Sequence, residues 1–221
     1  PGVVFDETGQ CESCKDSAAR MPVEWWPGPE GEAKLGALMS QLREEGKGKP
    51  YDAMIGLSGG IDSAYLAHIL VAEHGLRCLA VHIDGGWNSV AAVSNIEALV
   101  RKTGLDLHTV VIEWDEMRDL QLAFLRAGVF NQDFPQDHAF FTTLVRTANK
   151  YGIRSFLSGV NFSSENIEVR SSPSPTAYDG KHLKAIHRRF GQRPLHSFPV
   201  MSLGRYLWST RVRRRPVIHK P

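Results

Sequence analysis

Apolar positions become regular along the chain at Tyr51. The run YDAMIGL (51–57) reads as a buried strand, and a helix is expected from Ile61 to His74, stopped by Gly75. CLAVHI (78–83) is a second apolar strand, and Ser89 to Thr103 a second helix stopped by Gly104. LHTVVI (107–112) gives a third strand. Asp115 is placed to cap a helix running to Gly128, and Pro135 to open another that ends near Tyr151 and Gly152. IRSFLS (153–158) is a fourth strand. Strands that are apolar almost throughout and alternate with helices predict an α/β fold, a parallel twisted sheet with helices on both faces. Upstream, Leu35, Leu38, Met39 and Leu42 fall at helical spacing and mark an amphipathic packing helix. SSPSPT (171–176) reads as loop.

Composition narrows this picture. With 42% hydrophobic and 23% charged residues, the 221-residue chain suits one substantial α/β domain with short additions. It has no uninterrupted apolar run long enough to span a bilayer and no signal-peptide pattern, so a cytoplasmic protein without membrane insertion is expected. Net charge is +2, but Arg205, Arg211, Arg213, Arg214, Arg215 and Lys220 crowd the end of the chain without an acid, which leaves the body net negative. Such an end suits a solvated terminus, or contact with nucleic acid, an anionic membrane or a phosphorylated substrate.

Of three cysteines, Cys78 sits in an apolar run as a small hydrophobe. Cys11 and Cys14 form a Cys-x-x-Cys pair, which is half of a four-cysteine zinc site, a redox pair or two incidental thiols. The expected organisation is therefore a Cys-containing segment (1–22), an amphipathic helix and linker (23–50), a sheet domain (51–204) and a basic C-terminal segment (205–221).

The stretch LSGGIDSA (57–64) carries the most specific chemistry. It lies between the first strand and the first helix, where ligands of parallel sheets gather. Ser58, Gly59 and Gly60 let several backbone N–H groups turn toward one oxyanion, and the helix start adds partial positive charge. Asp62 repels a bare phosphate, so its presence implies Mg²⁺ between carboxylate and pyrophosphate. Ser63 can donate a hydroxyl. A Walker loop would need a Gly-Lys-Ser/Thr ending, which is missing here.

The Ser-Gly-Gly-x-Asp-Ser string resembles the pyrophosphate loop (PP-loop) of the N-type ATP pyrophosphatases, the superfamily of GMP synthetase, NAD synthetase and argininosuccinate synthetase. AVHIDGGWNS (80–89), DLQLAFLRAG (119–128), FPQDHAFF (134–141), LSGVNFSSE (157–165) and KHLKAIHRRFG (181–191) narrow the likeness. Together they resemble the N-acetyl sugar amidotransferases of bacterial surface-polysaccharide synthesis, such as lipopolysaccharide O-antigen, over most of residues 1–205. That resemblance implies an adenine nucleotide alpha hydrolase-like fold. It also implies a reaction in which ATP adenylates the acetamido group of a nucleotide-linked sugar and ammonia from a separate glutaminase subunit gives an acetamidino sugar. The family has an earlier Cys-x-x-Cys and extends further, so the chain is expected to be incomplete, with structural zinc shared by Cys11, Cys14 and an upstream pair.

The implied roles follow position. Ser58, Gly59, Gly60 and Ser63 would hold pyrophosphate, and Asp62 would anchor Mg²⁺. His82, Ile83 and Asp84 would meet adenine and ribose, and Gly159 would admit the nucleotide. Asp62, Ser63, Asp137 and His138 are the candidate catalytic residues. Trp87, Asn88, Gln136, Asn161, Glu165 and Lys184 are candidate substrate contacts. Blander readings stand beside these: Trp87 as packing, His138 as a locally satisfied helix-start histidine, Glu165 as a solvated acid. Lys181, Lys184 and His187, at spacings of three and four, form either an anion-binding face or a solvated one. Two other functions remain in view, a tRNA-modifying enzyme with the same loop and a nucleotide-binding module without catalysis. Nucleic acid is the less expected partner, because Cys78 offers no obvious sulfur carrier.

Overall fold

The computed structural model describes residues 3–160, 176–212 and 217–219. Five parallel strands make one sheet in the order β3-β2-β1-β4-β5: β1 (Ala53–Gly56), β2 (Cys78–Asp84), β3 (Asp106–Val111), β4 (Ser155–Leu157) and β5 (Val217–His219). Helices α1 (Glu12–Glu24) and α2 (Pro29–Glu45) precede it, and α3 (Ile61–Ala67), α4 (Val90–Thr103), α5 (Trp114–Ala127) and α6 (Phe134–Tyr151) fill the crossovers. After β4 come α7 (Gly180–Phe190) and the short α8 (Leu203–Leu207).

Alternation along the strands assigns the two faces. Ala53, Ile55 and Leu57, with Cys78 and Ala80, pack on one side against Met39 and Leu42 of α2, Leu66 and Ala67 of α3 and Ile96 of α4. Met54, Leu79, Val81 and Phe156 pack on the other against Leu144 and Ala148 of α6. The parallel sheet with helices on both faces is as expected, and Met39 and Leu42 perform the packing assigned to the amphipathic helix.

Several local expectations are corrected. The third strand is not buried: Leu107 and Val111 are 37% and 70% exposed, because β3 is an edge strand and gives up one neighbour. The helix expected from Ile61 to His74 keeps that span, but past Ala67 it is π-helical (His68–Glu73), with the His74 N–H bonded to the Ile69 carbonyl at 3.0 Å. Glu113, not Asp115, occupies the N-cap of α5. A fifth strand comes from within the basic C-terminal segment, where β5 pairs with β4. Helix α1, which no apolar periodicity announced, buries none of its residues.

The chain after α7 is fixed by two buried acids of α5. Glu116 accepts hydrogen bonds from the N–H groups of His196 (3.0 Å), Ser197 (3.0 Å) and Phe198 (2.7 Å). Asp119 accepts from the N–H groups of Gln192 (3.0 Å) and Arg193 (3.2 Å) and lies 3.0 Å from His187 Nε2. Burial raises both carboxyl pKa values, but the N–H donors outweigh it, with His187 assisting at Asp119, and both end below the usual carboxylate range. His187 is thus occupied within the fold, which corrects its place on an anion-binding face, while Lys184 remains exposed.

Candidate functional site

The loop after β1 turns on Gly59, whose φ of +82° lies in the left-handed region. A β-carbon there would stand 2.5 Å from the carbonyl oxygen of Ala92 on α4, so both conformation and space require glycine. Asn95, one turn further along α4, donates its side-chain N–H to the Gly59 carbonyl at 2.9 Å. The loop is therefore held from outside as well as by its own chain.

Within it, the Ser58 and Ser63 hydroxyls lie 3.2 Å apart. The Ser58 N–H donates to Ser63 Oγ at 3.3 Å, the Gly60 N–H donates to Ser58 Oγ at 3.3 Å, and the Ser63 hydroxyl reaches the Gly60 carbonyl at 3.2 Å. Helix α3 begins immediately afterward, which leaves its first N–H groups without carbonyl partners in their own helix. Asp62 is exposed in that first turn. Gly159, just beyond β4, lies so near that a β-carbon would sit 3.1 Å from the backbone carbonyl carbon of Asp62 and the nitrogen of Ser63. Two hydroxyls, a glycine-lined bend, helix-start N–H groups and an exposed carboxylate suit a phosphate chain with its divalent cation.

The end of β2 is tied to the same loop. His82 is buried; its Nδ1 lies 2.8 Å from the Leu57 carbonyl and its Nε2 3.0 Å from Asn88 Nδ2. The pairing calls for a proton on Nδ1, donated to the carbonyl, and a bare Nε2 that accepts from Asn88. His82 and Asn88 thus position the loop 84–88 rather than face outward. Asp84 accepts from the Gly86 N–H at 2.9 Å and closes a tight turn. At Gly85, a β-carbon would meet Met117 Cε at 3.2 Å, Gln136 Oε1 at 3.6 Å and Trp87 Cδ1 at 3.7 Å, so two of the expected substrate contacts converge there.

Asp137 and His138 have different fates. Burial, followed by repulsion from Asp133, raises the Asp137 pKa above its ordinary value, although Asn131 opposes this. Such a carboxyl is disposed to exchange a proton. His138 is 0% exposed, with Nδ1 2.6 Å from the Ala177 carbonyl and Nε2 accepting the Met201 N–H at 3.0 Å. Both ring nitrogens are in use, and burial lowers its pKa, so His138 joins segments of the fold instead of serving as a catalytic acid or base. His138 is satisfied, as the blander reading held, but by Ala177 and Met201, far along the chain, and not by its own helix start.

Asn161 and Glu165 lie outside the described residues. Cys11 caps α1, its sulfur accepting the Cys14 N–H at 3.4 Å, and that bond leads the interactions that lower its pKa. Both thiols are free, and among the described residues no group of three or more His, Cys, Asp or Glu is gathered for a metal. A separate groove of about 270 Å³ between β3 and α6, lined by His108, Val110, Thr143, Arg146 and Lys150, includes no residue of the loop. Asn95 and Trp114 were not anticipated. The signal for Asn95 is its i+3 spacing from Ala92 on the helix face toward Gly59; Trp114 offered none beyond its residue type.

No family model matches the chain. Over 72 residues, 31% of the chain, it is 38% identical to a tRNA(Ile)-lysidine synthase from Chlamydia pneumoniae, and the match takes in 22% of that enzyme's length. Three of the solved structures that overlap with it are NAD or NMN synthetases. The NH3-dependent NAD synthetase of Campylobacter jejuni, in complex with nitrate, is 16% identical with a TM-score of 0.43, covering 70% of each chain. The NMN synthetase of Francisella tularensis is 16% identical with a TM-score of 0.43, covering 82% of this chain and 85% of its own. The glutamine-dependent NAD+ synthetase of Acinetobacter baumannii, in complex with ADP, is 18% identical with a TM-score of 0.45, covering 74% of this chain and 46% of its own. Among the described residues no helix is long and apolar enough to cross a membrane.

Proposed function

We propose that the chain is a PP-loop ATP pyrophosphatase that uses ATP to convert the acetamido group of a nucleotide-linked sugar into an acetamidino group. The observation that carries the nucleotide part is the loop itself: Gly59 held against Ala92 and Asn95, with Ser58 and Ser63 converging and Asp62 exposed at the helix start. The sugar part rests on the likeness of the whole pattern to the N-acetyl sugar amidotransferases, with Trp87 and Gln136 meeting beside Gly85.

An amide carbonyl is a weak electrophile. In the proposed reaction its oxygen attacks the α-phosphorus of ATP, a P–O bond breaks and pyrophosphate leaves. Ammonia then adds to the activated carbon, gives up a proton, and AMP departs with the former amide oxygen. Ser58, Gly60 and Ser63 hold the departing pyrophosphate through hydroxyl and N–H donors. Asp62 would hold Mg²⁺, which when bound neutralises phosphate charge. Asp137, with its raised pKa, takes the proton lost by the attacking nitrogen. Cys11 and Cys14 would supply half of the thiolate shell of a structural zinc.

The test is pyrophosphate release from ATP and Mg²⁺ with ammonium, across a panel of nucleotide-linked acetamido sugars. Release should depend on one of those sugars. Asp62→Asn should lower it about a hundredfold or more, equivalent to roughly 3 kcal/mol of lost transition-state stabilisation, without altering the melting temperature. Near-normal turnover in that variant would remove the metal role of Asp62. The short match to a tRNA(Ile)-lysidine synthase favours one competing reading, an enzyme acting on tRNA. Release that responds to tRNA and ignores every sugar would replace the sugar reading with that one.

A further inference from the structure

Two tryptophans stand at the ends of neighbouring strands, Trp87 after β2 and Trp114 after β3. They are 58% and 42% exposed, and their rings meet edge to face, centroids 5.0 Å apart at 75°. The loop that carries Trp87 packs against the Trp114 ring. Gly86 has φ +86°, and a β-carbon there would lie 2.5 Å from Trp114 Cε3. The Gly86 N–H is fixed by Asp84, and Asn88 by His82, so the loop carrying Trp87 is braced on both sides. Gln136 Oε1 lies 3.6 Å from the β-carbon position of Gly85, at the foot of the same loop.

We propose that Trp114 forms, with Trp87, an aromatic corner that receives the pyranose ring of the acceptor sugar. The inference rests on the sugar-amidating reading above and adds to it a residue which that reading did not contain. A pair serving only to pack would gain by burying its faces. This pair keeps both indoles substantially exposed while the surrounding turn is constrained, a pre-organised surface at the sheet edge where parallel folds take their ligands. Indole faces suit the C–H face of a sugar ring, and the two rings, at 75° to one another and both partly exposed, form a corner rather than a flat wall. Gln136 offers a carboxamide beside them for the polar substituents, the usual mixture of apolar wall and few polar groups in a small-molecule site.

Calorimetry with the full chain and UDP-N-acetylglucosamine as the probe tests the corner, with UDP alone and a non-hydrolysable ATP analogue as parallel arms. Trp114→Leu keeps apolar bulk without an aromatic face, and should weaken sugar-nucleotide binding about tenfold, near 1.4 kcal/mol. Trp114→Phe, which keeps a ring, should stay within about threefold of the parent protein, well under one such decade. Binding of UDP alone and of the ATP analogue should be unchanged in both. Equal loss for UDP alone, equal loss for the ATP analogue, or no loss in Trp114→Leu overturns the proposal. Pyrophosphate release in the same samples separates the two ideas. Turnover with an unchanged KM for sugar in Trp114→Leu removes the corner and leaves the amidation. Sugar binding that is lost in Trp114→Leu, in a parent protein that never turns over, supports the corner and removes the amidation.

Discussion

A β-carbon on Gly59 would stand 2.5 Å from the carbonyl oxygen of Ala92. The contact joins the glycine bend to α4, which begins only at Val90, so the loop's shape depends on the second crossover as well as its own sequence. Gly59→Ala faces two costs at once, the positive φ and the clash. We expect it to destabilise the protein by about 1–3 kcal/mol through backbone strain alone, and to lower ATP cleavage by more than its loss of stability explains. Unfolding curves beside pyrophosphate release at saturating ATP are the check. A variant with normal stability and normal cleavage would show that the loop does not need this bend.

Much of this arrangement is legible in the sequence, because the residues concerned act locally. The strands of the core announce themselves as apolar runs, and the Ser-Gly-Gly-x-Asp-Ser string lies between one of them and a helix whichever sheet order the chain adopts. The misreadings have a common physical source in long-range placement. Leu107 and Val111 are as apolar as core residues, and only the strand order reveals that β3 lies at an edge. His138 resembles a catalytic residue until its partners are known, and these are Ala177 and Met201, distant in the chain. Glu116 and Asp119, at i and i+3 on a helix, carry no local signal that singles them out. Their actual partners are backbone N–H groups more than 70 residues away.

Those two acids make stability depend on pH in a definite direction. In the folded chain both carboxyls titrate below their ordinary values of about 4, because backbone N–H groups of 192–198 favour the charged form more than burial opposes it. A depressed folded pKa contributes stability above the unfolded value and loses it as pH falls through the ordinary carboxylate range toward the folded value. Glu116→Gln should therefore be less stable than the parent by about 1–3 kcal/mol at pH 7, the cost of weakening a charged hydrogen-bond acceptor. The gap should narrow as pH falls below about 4, where the parent's own carboxylate becomes protonated. Urea unfolding of both proteins at pH 7 and at successively lower pH measures this. A gap that is constant or widens on acidification would contradict the clamp.

The last prediction concerns the nitrogen donor. Amidine formation needs an uncharged nitrogen nucleophile at the activated carbon, and glutamine hydrolysis usually relies on a cysteine thiolate beside a base. This chain has three cysteines. Cys78, within β2, is 4% exposed, and burial pushes its thiol up to about 12, with the charge of Asp52 adding to the effect. At neutral pH it is therefore a protonated, shielded group that packs against the α2 side of the sheet. Cys11 is partly exposed and Cys14 exposed, but Cys11 is turned onto the start of α1, a helix that buries none of its residues. A thiol reagent added to the native protein should consequently label Cys11 and Cys14 and spare Cys78 until the protein is unfolded, which peptide mass analysis would show. With no thiolate placed at the strand ends, the proposed reaction should run on ammonium, and on glutamine only when a separate glutaminase is added. The decisive assay supplies this chain with ATP, Mg²⁺, sugar nucleotide and glutamine as the sole nitrogen source. Amidine formed under those conditions as fast as with ammonium would require a nucleophile that none of the three cysteines provides, and the ammonia-dependent scheme would fall.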